Sequence, residues 1–263
     1  MKWTILGASG TIGRKLKSHL VSRGEEVFAP ARDDLDLCKK PLGHVIYSIG
    51  LTANFRQRPY DTIDAHVVKL SELLQHGKFD SLLYLSSTRV YARANGGSES
   101  DPLPMISQDP SDLYNLSKLT GESLCQQDCR KNIRVVRLSN VVGGEDADSS
   151  NFLPSLVREA HGGRVLLRTS LDSVKDYIHI DDVVDILLRI ASGGRERLYN
   201  VASGIQTTHE QWATQLAIRT GCKVEVEPGA PTVRFLPVDI GRIRAEFDFQ
   251  PRPVLSALLG DDA

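Results

Sequence analysis

Tyr114 and Lys118 stand four residues apart in Asp112 to Arg130, a segment whose apolar spacing predicts a helix, so their side chains share one face and can reach each other. A nearby ammonium favours phenolate and draws a tyrosine down from its usual pKa of about 10 toward working pH. A phenol tuned in this way can give a proton to a carbonyl oxygen, or take one from an alcohol, while hydride moves at the adjacent carbon. Ser87 follows the apolar run Ser81 to Ser86, and a hydroxyl at the carboxyl end of a parallel strand faces the ligand crevice. There it could hold the reacting oxygen beside the tyrosine as a neutral donor. Each residue alone has a bland reading, surface decoration for the Tyr–Lys pair and a helix cap for the serine. The combination is the signal.

Gly7, Gly10 and Gly13 lie between a first apolar run, Trp3 to Leu6, and a helical pattern from Thr11 to Arg23. Without Cβ atoms the backbone can turn tightly and approach a pyrophosphate, whose charge meets the N–H groups and positive end of the helix. The spacing is three and three rather than the two and three of the dinucleotide fingerprint, but its place directly after a strand and before a helix marks a dinucleotide site. Thr11 and Ile12 open that helix and count with the glycines as cofactor contacts. After the second strand, Val27 to Ala29, the chain reads Ala31-Arg32 where NAD enzymes place a carboxylate for the ribose 2′-OH. A guanidinium there pairs with a 2′-phosphate, so NADP is expected; Asp33 or Asp34 could instead supply the carboxylate that suits NAD.

The elements that must position these groups alternate. Short apolar runs at Trp3 to Leu6, Val27 to Ala29, His44 to Ile49, Ser81 to Ser86 and Arg134 to Leu138 are separated by helical patterns at Thr11 to Arg23, Asp61 to His76 and Asp112 to Arg130. The runs do not alternate with polar residues, as befits parallel strands covered on both faces, so the fold class is α/β, a Rossmann-type doubly wound parallel sheet. Residues 1–142 are expected to form the NAD(P)-binding domain. Residues 143–263 form mainly a small C-terminal substrate lobe, with segments near 164–201 returning to the sheet. Helices are expected from Asn151, from Asp181 to Ala191 and within Asp239 to Phe247, a short strand at Val165 to Leu167 and another at Leu198 to Val201. Thr207 and Glu210 are spaced as a capping box for a helix through Thr220. The later pieces look too small for a core of their own.

The chain has 263 residues, with 32 Lys+Arg against 33 Asp+Glu and a net charge of -1, so no global positive excess points to nucleic acid. No stretch approaches the roughly 20 apolar residues of a membrane span. The opening residues lack the tripartite pattern of a signal peptide. Cys125 and Cys129, one helical turn apart, do not have a zinc-knuckle spacing, and no metal is expected. Reduced thiols in the cytoplasm are the expectation.

In order along the chain, these residues resemble the extended short-chain dehydrogenase/reductases: nucleotide-sugar epimerases, dehydratases and ketoreductases, with UDP-galactose 4-epimerase a familiar member. The resemblance includes the glycine triplet, Asp36-Leu37 where the family contacts adenine, and Val45-Ile46-Tyr47-Ser48-Ile49-Gly50 at the fourth strand. It continues through Ser86 to Tyr91, Tyr114 to Lys118, Arg137 to Val141, Asp176 to Asp182 and Tyr199-Asn200-Val201. It implies a Ser87, Tyr114, Lys118 triad in which Lys118 also holds the nicotinamide ribose, and it adds Gly50 to the cofactor site. It places nucleotide-sugar contacts on Asn140, Asn151, Lys175 and Tyr177. Lys175 replaces the usual arginine and loses its bidentate fork. The resemblance gives His179 and Asp181 a structural role and implies a homodimer built on the helices after the fourth and fifth strands.

Departures narrow the function. Ser87 is followed by Thr88-Arg89 and not by the acidic pair of the family's dehydratases, which disfavours a 4,6-dehydratase. His66 stands where an asparagine is common, Ala92 replaces a usual glycine, and the substrate lobe is trimmed. Reduction of a keto group, at C4, by NADPH fits Arg32 best. Epimerisation with a retained cofactor is the second reading, and an NADP-sensing binding protein without turnover is the third.

Overall fold

Strands that are apolar on both faces need helices on both, and the computed structural model, which describes residues 1–31, 34, 37–51, 54–144 and 151–256, builds that arrangement. The first half runs β1 (Lys2–Leu6), α1 (Thr11–Ser22), β2 (Glu26–Phe28), β3 (His44–Tyr47), α2 (Pro59–Ile63), α3 (Lys69–His76), β4 (Ser81–Ser87), α4 (Asp112–Gln127) and β5 (Ile133–Leu138). It continues through β6 (Asn140–Val142), α5 (Phe152–His161), β7 (Arg164–Leu167), β8 (Val174–His179), α6 (Ile180–Gly193), β9 (Leu198–Val201), β10 (Gln206–Thr208), α7 (His209–Thr220), β11 (Lys223–Val226) and α8 (Gly241–Phe247).

Six strands form one parallel sheet in the order β2-β1-β3-β4-β5-β9. Successive side chains point to opposite faces. Trp3, Ile5, Ile46, Leu83, Leu85 and Val136 therefore pack with Leu16 and Leu20 of α1 and Ile186 and Leu187 of α6. Leu6, Val45, Tyr47, Leu82, Tyr84 and Val135 pack on the other side with Leu70 and Leu73 of α3 and Cys125 of α4. The strand expected as the fourth is the third, because the described chain between β2 and β3 holds only a 3₁₀ turn at Leu37–Lys39. From β1 the chain adds β2 on one side and then β3 on the other. This reversal opens a crevice at the carboxyl ends of β1 and β3.

The second half builds two smaller sheets, β10-β8-β6 and β11-β7. Within 164–201, the stretch expected to return to the main sheet, β9 enters it and α6 covers it, whereas β7 and β8 pair with lobe strands. β8 joins the two parts: Ile178 belongs to the main cluster and Tyr177 to the lobe's. The lobe does have its own core, in which Leu153, Leu156, Val165, Leu167, Trp212 and Leu216 are buried together. Its pieces are individually short but amphipathic toward one another, which the linear reading underestimated. The capping box is also displaced by one residue, to Thr208 and Gln211. Thr207 is unavailable because it sits buried in β10 opposite Lys175.

α4 turns an unusually polar face inward, burying Asp112, Tyr114, Asn115, Ser117, Lys118 and Glu122. Glu122 meets Arg137 of β5, Nη2 to Oε2 at 2.7 Å, and accepts from the Ser86 hydroxyl at 2.5 Å. Arg137 also donates to the Tyr91 hydroxyl at 2.9 Å, which donates to Asn200 at 2.8 Å. Tyr91, Arg137 and Asn200, which the family pattern brought to notice, thus tie β4, α4, β5 and β9 together beneath the site. The four cysteines are free thiols. Among the described residues no helix is long and apolar enough to cross a membrane, and no cluster of potential metal ligands occurs.

Candidate active site

The glycine turn sits at the β1 end of the crevice. Gly7 has φ +87°, and a Cβ there would stand 2.8 Å from the Ser48 carbonyl carbon; one on Gly13 would stand 2.2 Å from the Gly7 oxygen. Only glycine allows these approaches. Gly10 differs: it is exposed, and a Cβ would touch only the Gly7 oxygen, at 3.5 Å. Packing therefore does not require Gly10, whose bare backbone at the head of α1 leaves room for a phosphate to approach. The Ser48 backbone N–H and hydroxyl both donate to the Leu6 carbonyl, at 2.9 and 2.7 Å, pinning the ends of β1 and β3 side by side.

Gly50 carries the cradle to the reactive groups. A Cβ on it would lie 3.0 Å from His66 Nε2 and 3.5 Å from Lys118 Nζ. Ser87 ends β4 and accepts from the Arg89 backbone N–H at 3.2 Å, and its hydroxyl is close enough to Tyr114 to favour the phenolate. Tyr114 is 6% exposed, with Phe55 and His66 rings 5.1 and 5.2 Å from its own. Lys118 donates to the Leu85 carbonyl at 2.8 Å, its Nζ 5.9 Å from the Tyr114 ring centre. The structure therefore assembles Ser87, Tyr114, Lys118 and Gly50 at the mouth of the crevice.

The electrostatics correct one expectation. Tyr114 is raised above its ordinary pKa, because burial penalises the phenolate more than the neighbouring Ser87 hydroxyl and the Arg89 charge favour it. Lys118 does not bring it down. The ammonium is itself shielded from water, and burial lowers its pKa to about 7 against the opposing pull of Glu122. Glu122 was missed in the sequence, although it stands one turn beyond Lys118 on the same helix face.

Ile12 packs against the main core and Leu37 against the second cluster, while Thr11 opens α1. Arg32, Asp33 and Asp36 lie outside the described residues. Asp34, the alternative carboxylate, is engaged by Lys40 at 3.0 Å. Asn140 is exposed on β6 and donates to the Asp176 carbonyl at 2.8 Å; Asn151 is exposed at the start of α5. Lys175 is half-buried, its Nζ 5.7 Å from the Phe152 ring centre and 5.9 Å from that of Phe235. Tyr177 is packed into the lobe core, edge-on to Trp212. His179 caps α6 by accepting from the Asp181 N–H at 3.1 Å, and Asp181 pairs with Lys15 and Arg252, the structural role expected of both.

A glycine cradle at a topological switch point, an exposed helix-head glycine and a Ser–Tyr–Lys group beside Gly50 together suit a nicotinamide dinucleotide. A family model described as NAD dependent epimerase/dehydratase matches residues 3–202. The chain belongs to that family. The epimerase/dehydratase fold recurs in MoeE5 in complex with UDP-glucose and NAD, at 20% identity over 98% of this chain and 96% of that one, with a TM-score of 0.79. RMD from Pseudomonas aeruginosa complexed with NADPH matches at 22% identity, 98% and 97% coverage and a TM-score of 0.79. TunA, an NAD dependent NDP-hexosamine 5,6-dehydratase, matches at 20% identity, 98% and 95% coverage and a TM-score of 0.80. The likeness extends through the C-terminal lobe, and at these identities it establishes the fold. No curated protein matches by sequence.

Proposed function

We propose that this epimerase/dehydratase-family enzyme is an NADP-dependent oxidoreductase that reduces a keto group, at C4, of a nucleotide-linked sugar. The observation that carries the reading is the placement of Tyr114, buried, beside Ser87 at the end of β4, in a setting that keeps the Tyr114 proton in place at neutral pH. A buried, protonated phenol is equipped to donate, which is what reduction of a carbonyl asks of it. Ser87 holds the carbonyl oxygen from the other side. Lys118, fixed by the Leu85 carbonyl, offers its remaining donors to a ribose and to the return of a proton to Tyr114. The nicotinamide, when bound, supplies the hydride.

Support for a nucleotide sugar comes from Lys175 and Asn140 on neighbouring strands, and from ligands named for similar folds, UDP-glucose with MoeE5 among them. The cofactor choice rests on Arg32. An epimerase that retains its cofactor uses the same residues and is the second reading, favoured by the family to which the chain belongs. A homodimer on the helices after β3 and β4 and a cytoplasmic location complete the proposal.

A keto-sugar nucleotide mixed with the purified protein and NADPH should cause steady loss of absorbance at the reduced nicotinamide band, and Tyr114→Phe should abolish it. Interconversion of two sugar nucleotides without added cofactor would replace this reading with the epimerase. Dinucleotide binding unaffected by Tyr114→Phe, with no turnover under either condition, would leave a sensor.

A further inference from the structure

The reaction proposed above makes no use of Arg89. This residue stands two positions past Ser87 in the 3₁₀ turn Thr88–Arg93. Its guanidinium lies 5.1 Å from the centre of the Phe55 ring and 5.9 Å from that of Tyr114, so it borders the reacting group directly. Its Nε is shielded from solvent and has no hydrogen-bond partner among the described residues. The acids that face it, Asp109 and Asp112, are both taken by Arg93. Arg56 and Lys175 add like charge, and neither forms an ion pair among the described residues.

Shielded cations in proteins are ordinarily paired. Here Arg89 and Lys175 are part-buried and like-charged with no ion pair of their own among the described residues, and the exposed Arg56 adds to a field that an anionic ligand would close. The diphosphate of a nucleotide sugar accounts for Lys175, but it hangs from C1, across the ring from C4. Arg89 lies instead against the Tyr114 ring, its backbone N–H bonded to the Ser87 hydroxyl, so it flanks the place of the reacting carbon.

We propose that Arg89 binds a carboxylate on the sugar carbon adjacent to the reacting one, making the substrate a nucleoside-diphosphate uronic acid. This rests on the nucleotide-sugar reading above and specifies its substrate class. With the C4 oxygen between Ser87 and Tyr114, the carboxylate on C5 falls on the Arg89 side. A planar guanidinium matches it with two parallel hydrogen bonds, and Nε is one of the donors so placed. A neutral sugar would leave that shielded donor unmade, at a cost to affinity. Burial and the Arg56 charge hold the Arg89 pKa below its ordinary value, and burial and Arg89 do the same to Lys175, as expected of cations awaiting a counter-charge.

The test is calorimetric titration of the NADP-loaded protein with UDP-glucuronic acid, UDP-glucose, and the base-free pair glucuronic acid 1-phosphate and glucose 1-phosphate. The wild type should prefer each acid to its neutral counterpart at least tenfold. Arg89→Met should erase the preference and leave the neutral ligands within threefold; Arg89→Lys, which keeps the charge and guards against a folding artefact, should retain part of it. Equal affinity in the wild type, or equal weakening of acid and neutral ligands in Arg89→Met, would overturn the assignment. Selective acid binding without turnover would sink the reductase and leave Arg89 assigned. Failure of all four probes to bind would remove the nucleotide-sugar reading and this inference with it.

Discussion

His66 Nδ1 lies 2.8 Å from the Ser117 hydroxyl, and that hydroxyl spends its own proton on the Tyr114 carbonyl at 2.7 Å. The imidazole must therefore be the donor, a neutral ring with its proton on Nδ1 and a buried lone pair on Nε2, on the Gly50 side, that no hydrogen bond takes up among the described residues. A π-helical turn, Asp64–Val68, sets the ring at this depth. Burial, aided by the Lys118 charge, lowers its pKa to about 2.

Acid stability follows from that depression. The unfolded chain takes up a proton on this histidine near pH 6.5, the folded one only near 2, so the contribution is complete above 6.5 and is lost as pH falls toward 2. His66→Asn should flatten the decline in unfolding free energy between pH 6.5 and 4 by up to about 1.4 kcal/mol per pH unit. Urea denaturation across that range measures the slope, and parallel wild-type and variant curves would refute a His66 held neutral by burial.

Lys118 should write itself into the pH profile of the reaction. Its charge is present below about pH 7 and lost above it, so kcat/KM for reduction should fall as pH rises beyond neutrality. Glu122→Gln removes the charge that props the ammonium up, and the falling limb should move to lower pH. Initial rates of NADPH consumption over pH 5.5 to 9 decide it.

Gly13 and Gly10 of the cradle should respond differently. Gly13→Ala drives a methyl to 2.2 Å from the Gly7 oxygen and should cost about 1–3 kcal/mol of stability along with dinucleotide binding. Gly10→Ala meets only a contact at 3.5 Å, so it should leave the melting temperature nearly unchanged and weaken dinucleotide affinity alone. Thermal melts paired with fluorescence titration separate the two effects.

Arg137→Met should destabilise the fold by about 3–5 kcal/mol, because it strands the buried Glu122 carboxylate without its partner. Replacing both residues by apolar ones of similar volume should recover much of the loss. Equilibrium unfolding of the single and double variants reads out the difference.

Local pattern carried the architecture well. Parallel strands buried on both faces announce themselves as unbroken apolar runs, and β1, β4, β5 and β9 lie within one residue of where periodicity puts them. β6, β8, β10 and β11 escaped notice because their residues are mixed in character and are stabilised by partners distant in the chain. Thr208 displaced Thr207 as the helix cap for the same reason: strand pairing with Lys175 claimed Thr207 first. Arg89 was visible only as a departure from an acidic motif, since nothing in Thr88-Arg89 discloses that Phe55 and Tyr114 will shield it.

Spacing along the chain was enough to put Tyr114 and Lys118 on one helix face, Ser87 at a strand end and Gly7, Gly10 and Gly13 at a helix head. These are properties of bond geometry and of helical and strand repeats. Tertiary structure alone decided the protonation of those groups, with Tyr114 raised and Lys118 lowered. A pKa depends on how much water remains around a charge and on which other charges approach it, and both come from residues far apart in sequence.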